Sequence, residues 1–392
     1  MWVWNSNQVI EPALGYGARE VGIEVSTDGT TWTALAGATE FAQGTGEPTY
    51  TYNTTVDFGG ALARYVRLTL KSNWSQGVVS ECSLSEVRFF YIPVWATGPK
   101  PAAGATAVAV DSTLSWRPGR EAVQHEVYIG SDPNATPLAK TVTDHQVALS
   151  SLGVEYGRTY YWKVDEVNEA AVPRSWAGEV WSFATLGYAT VDDFENYNDK
   201  CKRIFFTWID GYGHSGSADC GIAPSTGNGT GSTVGNISPP FASQTVVHSG
   251  RQAMRLAYDN TSGSGIAETV RAFDTAQDWT LGGVKTLVLY FLGDTTNGAG
   301  QLYVKVNGTK VQYGGSSSAI AMGLWKQWDI DLSAVPPASL KTVTSLTFGV
   351  SGTGKGDLYV DDIRLYGQAP AVAAPTDPGT GALAAYYAFE GD

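Results

Sequence analysis

Short stretches in which apolar and polar residues alternate run along most of the chain, and they predict β-strands rather than helices. Clear examples are residues 21–26, 63–70, 126–130 and 160–165. Turn residues separate these stretches, such as the Asp28-Gly29 pair, which is typical of a tight hairpin. The sequence shows almost no helical periodicity, so the pattern predicts an all-β fold.

The predicted strands fall into groups separated by linkers, and a length of 392 residues suits two to four domains. A segment with three prolines, residues 93–101, separates the first group from the second. We predict tandem β-sandwiches at residues 1–92, 100–186 and 187–367. A linker and a truncated first strand of a further domain are predicted at residues 368–392. Because the sequence is strand-like at its start and at its end, we expect the chain to be a piece of a longer protein.

Three sequence stretches characterise the first domain. Residues 24–32 are Glu-Val-Ser-Thr-Asp-Gly-Thr-Thr-Trp, residues 63–68 are Ala-Arg-Tyr-Val-Arg-Leu, and residues 84–89 are Leu-Ser-Glu-Val-Arg-Phe. In this order and spacing they resemble the discoidin family, also called the coagulation factor 5/8 C-type family. The resemblance implies a jelly roll of which only the later part is present. Several binding loops of that family lie in its early part, so it implies an incomplete site here.

In the second domain, the clearest pattern consists of Leu152, residues 156–160 and Val164. It resembles a fibronectin type III domain. The resemblance implies that Tyr160 is the tyrosine corner, with its hydroxyl hydrogen-bonded to the upstream backbone, and that Trp116 is the core tryptophan. Such domains mostly act as spacers.

Two acidic strings bracket the third domain: Val-Asp-Asp-Phe-Glu at residues 191–195 and Leu-Tyr-Val-Asp-Asp-Ile-Arg-Leu at residues 358–365. Together with Ser-Gly-Arg-Gln-Ala-Met at residues 249–254, they resemble the calcium-stapled jelly-roll carbohydrate-binding modules. The resemblance implies a jelly roll whose first and last strands lie side by side, and a polysaccharide or another glycan as the partner. Residues 383–391 resemble the first strand of a laminin-G-like domain.

The acidic strings place carboxylates in apolar strand sequence, where an unpaired charge is costly. Such carboxylates need a cation, and hard oxygen ligands suit Ca²⁺. The resemblance implies that Glu195, Asp362 and backbone carbonyls at Ser249 or Gly250 bind a structural Ca²⁺ away from the sugar. The neighbouring acids Asp193 and Asp361 are able to substitute as metal ligands. The alternative is that all these acids are surface residues at strand ends.

Side chains suited to sugar binding occur in two places in the third domain, since Trp and Tyr rings stack on sugars while acids and amides bind hydroxyl groups. The predicted ligand-binding residues are Trp208, Asp210, Tyr212, Tyr258, Asp259 and Asn260. The alternative is that the aromatic ones are ordinary core residues. Trp325 and Trp328 are three residues apart in a predicted strand and should point to opposite faces, one of them into the core.

The composition narrows the class of protein. Charged residues make up only 16% of the chain, which is rich in Gly and aromatic residues and therefore typical of extracellular or cell-surface β-sandwiches. The net charge of −13 argues against a nucleic-acid partner, whose backbone needs a basic surface. No apolar run reaches the roughly 20 residues of a membrane span.

The cysteines give a limited signal, because three are too few for a disulfide scaffold. Cys201 and Cys220 both lie in the third domain and are able to pair, which leaves Cys82 as a residue that we expect to be buried. No CxxC motif is present, so we do not expect a zinc site.

Signatures of catalysis are weak. The four histidines are scattered over two domains and lie outside any HExxH or GxSxG motif. Asp192, Asp193 and Glu195 resemble one side of a glycosidase acid pair, but nothing fixes the second side across a cleft. We therefore predict a non-catalytic segment that binds glycans. The rival hypothesis is a structural or adhesive array that binds protein partners or spaces other domains. A distant third is the accessory segment of a carbohydrate-active enzyme with its catalytic domain outside this range.

Overall fold

The computed structural model describes residues 1–37 and 40–371, and these residues form mostly β-strands arranged in sandwiches. This confirms the predicted all-β fold. The described residues divide into two compact units, the first made of residues 1–94 and 119–121, the second of residues 95–118 and the described residues from 122 to 371. The segment that resembles a laminin-G-like strand lies outside the described residues.

Unit 1 is a small sandwich of two antiparallel sheets, with the strand orders β4-β1-β6 and β3-β2-β5. Its strands are β1 (Trp2–Asn5), β2 (Val21–Ser26), β3 (Thr33–Ala34), β4 (Thr54–Thr55), β5 (Tyr65–Leu70) and β6 (Leu84–Arg88), and its helix is α1 (Glu11–Leu14). Val3, Ile23 and Phe41 form part of a core between the two sheets. Alternate residues of β1 and β2 face this core, as the two-residue period of the sequence predicts.

The first module of unit 2 has its own hydrophobic core, which includes Trp116 and Trp162. Its strands are β7 (Thr97–Lys100), β8 (Ala105–Val108), β9 (Thr113–Arg117), β10 (Gln124–Gly130), β11 (Leu138–Val142), β12 (Gln146–Ala148), β13 (Thr159–Val167), β14 (Ser175–Trp176) and β15 (Trp181–Thr185). One sheet has the order β11-β10-β13-β15-β8, with β14 also on β13, and the other has the order β12-β9-β7. The hydroxyl of Tyr160 accepts a hydrogen bond from the backbone N–H of Glu155 at 2.9 Å, which is the bond expected of a tyrosine corner.

The second module of unit 2 is the largest sandwich of the chain. Its strands are β16 (Ala189–Asp192), β17 (Trp208–Ile209), β18 (Ser232–Val234), β19 (Met254–Asp259), β20 (Ile266–Gln277), β21 (Thr286–Gly293), β22 (Gly300–Val306), β23 (Thr309–Gln312), β24 (Lys326–Asp331), β25 (Val343–Gly352) and β26 (Lys355–Tyr366). Its short helices are α2 (Ile204–Thr207) and α3 (Pro337–Leu340). Short 3₁₀ turns in unit 2 cover Leu149–Leu152, Ala218–Cys220, Leu281–Gly283, Ser317–Ala321 and Leu332–Ala334.

Two sheets face each other in this second module. The sheet that we call the β26 sheet has the order β18-β19-β26-β21-β24, with β16 also paired to β26, and the β25 sheet has the order β17-β20-β25-β22-β23. Leu287, Leu289 and Phe291 of β21 point between the sheets, as do Phe348 and Val350 of β25. β16 and β26 pair antiparallel, so the prediction that the first and last strands lie side by side is confirmed.

Cys201 and Cys220 form a disulfide, as the sequence allows, whereas Cys82 is a free, half-buried thiol. Burial raises the pKa of this thiol above its ordinary value. None of the helices within the described residues is long and apolar enough to cross a membrane.

Candidate functional site

Glu195 is the last residue of the first acidic string and lies just after the end of β16. Its side chain binds the backbone of the loop formed by residues 248–252. Its Oε1 accepts hydrogen bonds from the N–H groups of Arg251 at 2.7 Å and Gln252 at 2.9 Å. Gly250 has φ +64, and a Cβ added there would lie 2.3 Å from the same Oε1. The carboxylate therefore occupies space that only a glycine at position 250 leaves open.

Asp361, in β26, holds the other end of the same loop. Its Oδ2 accepts from the N–H groups of His248 at 2.9 Å and Ser249 at 3.2 Å, and its Oδ1 accepts from the N–H of Asp362 at 2.8 Å. Burial raises the pKa of Asp361 to about 6, and the nearby Asp362 adds to this rise, while the three N–H donors oppose it.

Asp362 has φ +51 and lies in an irregular part of the pairing between β26 and β21. Its Oδ2 hydrogen-bonds to Nδ1 of His248 at 2.7 Å, and its Oδ1 accepts from Arg364 at 2.5 Å. The side chain is 1% exposed. The alternative that all the acids are surface residues is therefore wrong for Asp361 and Asp362, since both are buried.

Asp193 takes a local role, because its Oδ1 accepts from the N–H of Glu195 at 3.1 Å. Its neighbour Asp192 is buried, and its Oδ2 accepts from the hydroxyl of Tyr197, from Nε1 of Trp208 and from Arg271. The first acidic string therefore contributes one buried hydrogen-bond acceptor at Asp192 and one loop anchor at Glu195.

The arrangement fits the predicted Ca²⁺ in part. The strings and the 248–252 loop converge, and Asp361 and Asp362 bring two buried carboxylates to the same place. However, no three His, Cys, Asp or Glu side chains within residues 1–37 and 40–371 form a group able to hold a metal ion. A Ca²⁺ here would therefore need backbone oxygen ligands, as predicted for Ser249 and Gly250, and the ion stays a prediction.

Trp208, predicted to contact a ligand, lies in the core instead. Its side chain is fully buried, and its Nε1 donates to Oδ2 of Asp192 at 2.8 Å. Its ring packs near that of Phe194, with 6.0 Å between the ring centroids. A fully buried indole offers no face for a sugar to stack on. Trp208 is therefore an ordinary core residue, which was the alternative to ligand contact.

In the same loop, Asp210 and Tyr212 have opposite surroundings. Asp210 is 4% exposed, and its carboxylate accepts from the N–H groups of Tyr212, Gly213 and Val234 at 2.7–3.0 Å. It folds the loop and has little capacity left for a ligand. Tyr212 is 74% exposed, which leaves it accessible to a ligand.

The second predicted group also separates into buried and exposed members. Tyr258 is 2% exposed and donates its hydroxyl to the carbonyl of Gly298 at 2.8 Å, and Asn260 is 3% exposed and donates to the carbonyl of Val350 at 3.0 Å. Asp259 is exposed and accepts from the N–H and hydroxyl of Thr261, which lower its pKa. The buried position of Tyr258 corresponds to the alternative of an ordinary core residue, and Asn260 is buried as well.

The structure brings a different set of aromatic residues together, on the outer face of the β26 sheet. Tyr290 lies between Leu289 and Phe291, which face the core, so its ring faces outward. Tyr359 of β26 lies on the same face. It pairs with Leu292 of β21 on one side and with Arg255 of β19 on the other. These side chains are half-buried.

His248 and Trp325 extend this surface. The imidazole of His248 stacks on the ring of Tyr290, with 3.6 Å between centroids and 15° between planes, and Trp325 meets His248 edge-on at 5.6 Å. We call Tyr290, Tyr359, His248 and Trp325 the aromatic face. Trp328, by contrast, is 4% exposed and lies in the core, which confirms that one of the two tryptophans points inward, whereas Trp325 precedes β24 and is half-buried.

Polar groups flank the aromatic face on two sides. Arg255 and Asp357 form an ion pair at 2.5 Å beside Tyr359. On the opposite side, Oε1 of Gln327 accepts from the hydroxyl of Tyr290 at 2.9 Å. Flat rings between donors and acceptors are able to bind a ligand that is apolar on its faces and polar at its edges.

Sequence reasoning missed Tyr290, Tyr359 and His248, although the strand period contained part of the signal. Tyr290 and Tyr359 each alternate with apolar residues that face inward, so both were identifiable as outward-facing. The sequence does not show which outward positions stay uncovered. It also gives no sign that the acids at 361 and 362 place His248 on top of Tyr290.

Comparisons with known proteins give limited matches. No protein-family model matches the chain, and no curated protein matches it. A family 11 carbohydrate-binding module of a cellulosomal cellulase of Clostridium thermocellum is 16% identical, with a TM-score of 0.29, over 47% of this chain and 97% of that one. A family 11 module of the same organism, in complex with a β-1,3-1,4-mixed-linked tetrasaccharide, is 15% identical, with a TM-score of 0.30 and the same coverage.

A third similar structure is the module CBM27-1 of Caldicellulosiruptor saccharolyticus, in complex with mannohexaose. It is 17% identical, with a TM-score of 0.25, over 36% of this chain and 93% of that one. These low TM-scores assign neither a site nor a ligand to this chain.

Proposed function

We propose that the chain binds a polysaccharide or another glycan through the aromatic face, and that it does so without catalysis. The observation that carries this proposal is the pair of outward-facing, half-buried rings of Tyr290 and Tyr359 on one face of the β26 sheet, with His248 stacked on Tyr290 and Trp325 edge-on to His248. The faces of a pyranose ring carry C–H groups that pack on aromatic rings, while its hydroxyl groups lie at the edge and need hydrogen-bond partners.

The residues around the rings supply such partners. The ion pair between Arg255 and Asp357 offers both a donor and an acceptor beside Tyr359. His248 is held by a hydrogen bond to Asp362 and by stacking on Tyr290, so it keeps one orientation. Groups that are already fixed lose little conformational entropy when a ligand binds.

The experiment compares the full chain with a Trp325→Ala variant by affinity electrophoresis in gels that contain soluble xylan, galactomannan or mixed-linkage β-glucan. We expect retardation of the wild-type chain by at least one polysaccharide. We expect Trp325→Ala to weaken this binding about tenfold or more, because loss of an aromatic hot-spot residue typically costs about 2 kcal/mol or more.

Tyr212→Ala is the matched control, since Tyr212 is an exposed aromatic residue of the same module outside the aromatic face. Equal affinity of Tyr212→Ala and the wild type would support the aromatic face as the site. A loss of binding in Tyr212→Ala, with no effect of Trp325→Ala, would instead place the site in the predicted loop.

The rival role is that of a structural or adhesive array with protein partners. In that case none of the polysaccharides would retard the wild-type chain. The Trp325→Ala variant would fold and migrate like the wild type in every gel. The half-buried rings of the aromatic face favour the glycan proposal, because a module that only spaces its neighbours has no need of them.

A further inference from the structure

Four aromatic rings that lie outside the hydrophobic core of unit 1 pack against one another on the outer face of the β4-β1-β6 sheet. They belong to Trp2, Trp4, Tyr52 and Phe90. We infer that these rings, which we call the tryptophan platform, form a second binding site for a neutral glycan. This site lies in a different unit from the aromatic face and does not depend on the proposed function of that face.

The strand period places the platform on the outside. Val3 is fully buried in the core, and therefore Trp2 and Trp4 on either side of it point to the opposite face of β1. The ring of Tyr52 lies parallel to that of Trp2, with 4.2 Å between centroids and 5° between planes. Phe90 packs against Trp2 at 4.5 Å, and Phe90 is 60% exposed.

An ion pair borders the platform without adding net charge. In the pairing of β1 with β6, Trp2 is opposite Arg88 and Trp4 is opposite Glu86, so both charged side chains lie on the same face as the rings. Nε of Arg88 lies 2.5 Å from Oε1 of Glu86, and the guanidinium carbon of Arg88 lies 4.8 Å from the centre of a Trp4 ring. One donor group and one acceptor group therefore stand beside flat apolar rings.

The charge and the rigidity of the platform favour a neutral sugar chain over other ligands. A chain with net charge −13 is repelled by nucleic acid and by an anionic lipid surface, and the platform itself has no net charge to offset this. The rings hold one another in place, so binding orders few side chains. Flat faces with polar groups at the rim match a pyranose, which has apolar faces and polar edges.

The test uses the full chain with Tyr52→Ala and Phe90→Ala together. Both side chains are exposed and lie outside the core, so their removal leaves the sandwich able to fold, which the far-ultraviolet circular dichroism checks. The double variant is made in the wild-type and in the Trp325→Ala background. Affinity electrophoresis with soluble xylan, galactomannan and mixed-linkage β-glucan measures binding. Tyr65→Ala is the control, because Tyr65 is an exposed tyrosine on the other sheet of unit 1.

We expect Trp325→Ala to keep residual binding to at least one polysaccharide. We expect the added Tyr52→Ala and Phe90→Ala changes to lower this residual affinity at least tenfold, and Tyr65→Ala to leave it unchanged. Unaltered affinity of the double variant in both backgrounds would overturn the inference while leaving the aromatic face in place. The reverse result, with an effect of the double variant and none of Trp325→Ala, would overturn the proposed function alone.

Sedimentation would reveal a third case, in which the double variant abolishes self-association but not sugar binding. The platform would then bind a second copy of the chain, and the inference would be wrong.

Discussion

Trp208 is the residue at which the sequence prediction and the structure differ most sharply, and one substitution decides between them. Its Nε1 donates to the buried carboxylate of Asp192. Trp208→Phe keeps an aromatic ring but removes this donor from a charged acceptor. We expect a loss of about 1.5–3 kcal/mol in the free energy of unfolding, measured by urea denaturation, and no change in polysaccharide affinity.

The control for this substitution is Tyr212→Ala in the same loop. Tyr212 is 74% exposed, so its truncation should change stability by no more than about 0.5 kcal/mol. If Trp208→Phe retained full stability and instead lost affinity for a polysaccharide, the buried position of the indole would be contradicted and its predicted ligand contact restored.

Asp210 and Asn260 show why residue chemistry alone was a poor guide to the ligand site. A carboxylate or amide that binds a sugar hydroxyl is equally suited to bind the backbone of its own loop. Asp210 accepts from three backbone N–H groups, and Asn260 donates to the carbonyl of Val350. The sequence shows that a donor or an acceptor is present but not whether a backbone group of the same protein already binds it.

At the level of strands, alternation predicted more of the structure than residue chemistry did. The period of two correctly separated Trp325 from Trp328, and the acidic strings correctly predicted that the first and last strands of the third domain pair. The same alternation does not tell which outer face of a sheet stays uncovered, because this depends on loops far away in sequence. Tyr290 and Tyr359 were therefore missed.

The connection between β16, β26 and the 248–252 loop is the basis of the calcium prediction. Glu195 and Asp361 hold the two ends of that loop, and Asp361 is a buried carboxylate whose pKa is raised to about 6 by burial. A cation bound only by the folded state would stabilise it, by about 2.7 kcal/mol at a concentration 100 times the Kd. We expect the melting temperature in CaCl₂ to exceed that in EDTA.

Two variants make the calcium test specific. Asp361→Asn should abolish the difference between CaCl₂ and EDTA, whereas Asp259→Asn, an exposed acid of the same module, should preserve it. Equal melting temperatures of the wild type in CaCl₂ and EDTA would show that strand pairing and hydrogen bonds connect these segments without an ion.

At the scale of the whole molecule, the two modules of unit 2 contact each other through a tyrosine and a pair of glycines. The backbone N–H of Tyr156, in the first module, donates to the carbonyl of Gly282, in the second, at 2.9 Å. A Cβ at Gly282 would lie 2.5 Å from the ring of Tyr156, and one at Gly283 would lie 2.9 Å from Glu155. The absence of side chains at these two positions lets the first module approach closely.

Gly282→Ala tests whether this contact couples the stability of the two modules. Gly282 has φ +65, so alanine is strained there by about 1–2 kcal/mol, and the Tyr156 ring adds a clash. Gly153→Ala is the matched control, because Gly153 has φ +67 but no atom within 4 Å of the added Cβ.

We expect Gly282→Ala to lower the free energy of unfolding, measured by urea denaturation, by at least about 1 kcal/mol more than Gly153→Ala. In a Tyr156→Ala background this excess should shrink to the smaller cost of the 3.1 Å approach to Val110, since the clashing ring is gone. Equal losses for Gly282→Ala and Gly153→Ala would show that the contact between the modules contributes nothing to stability beyond the strain of the backbone.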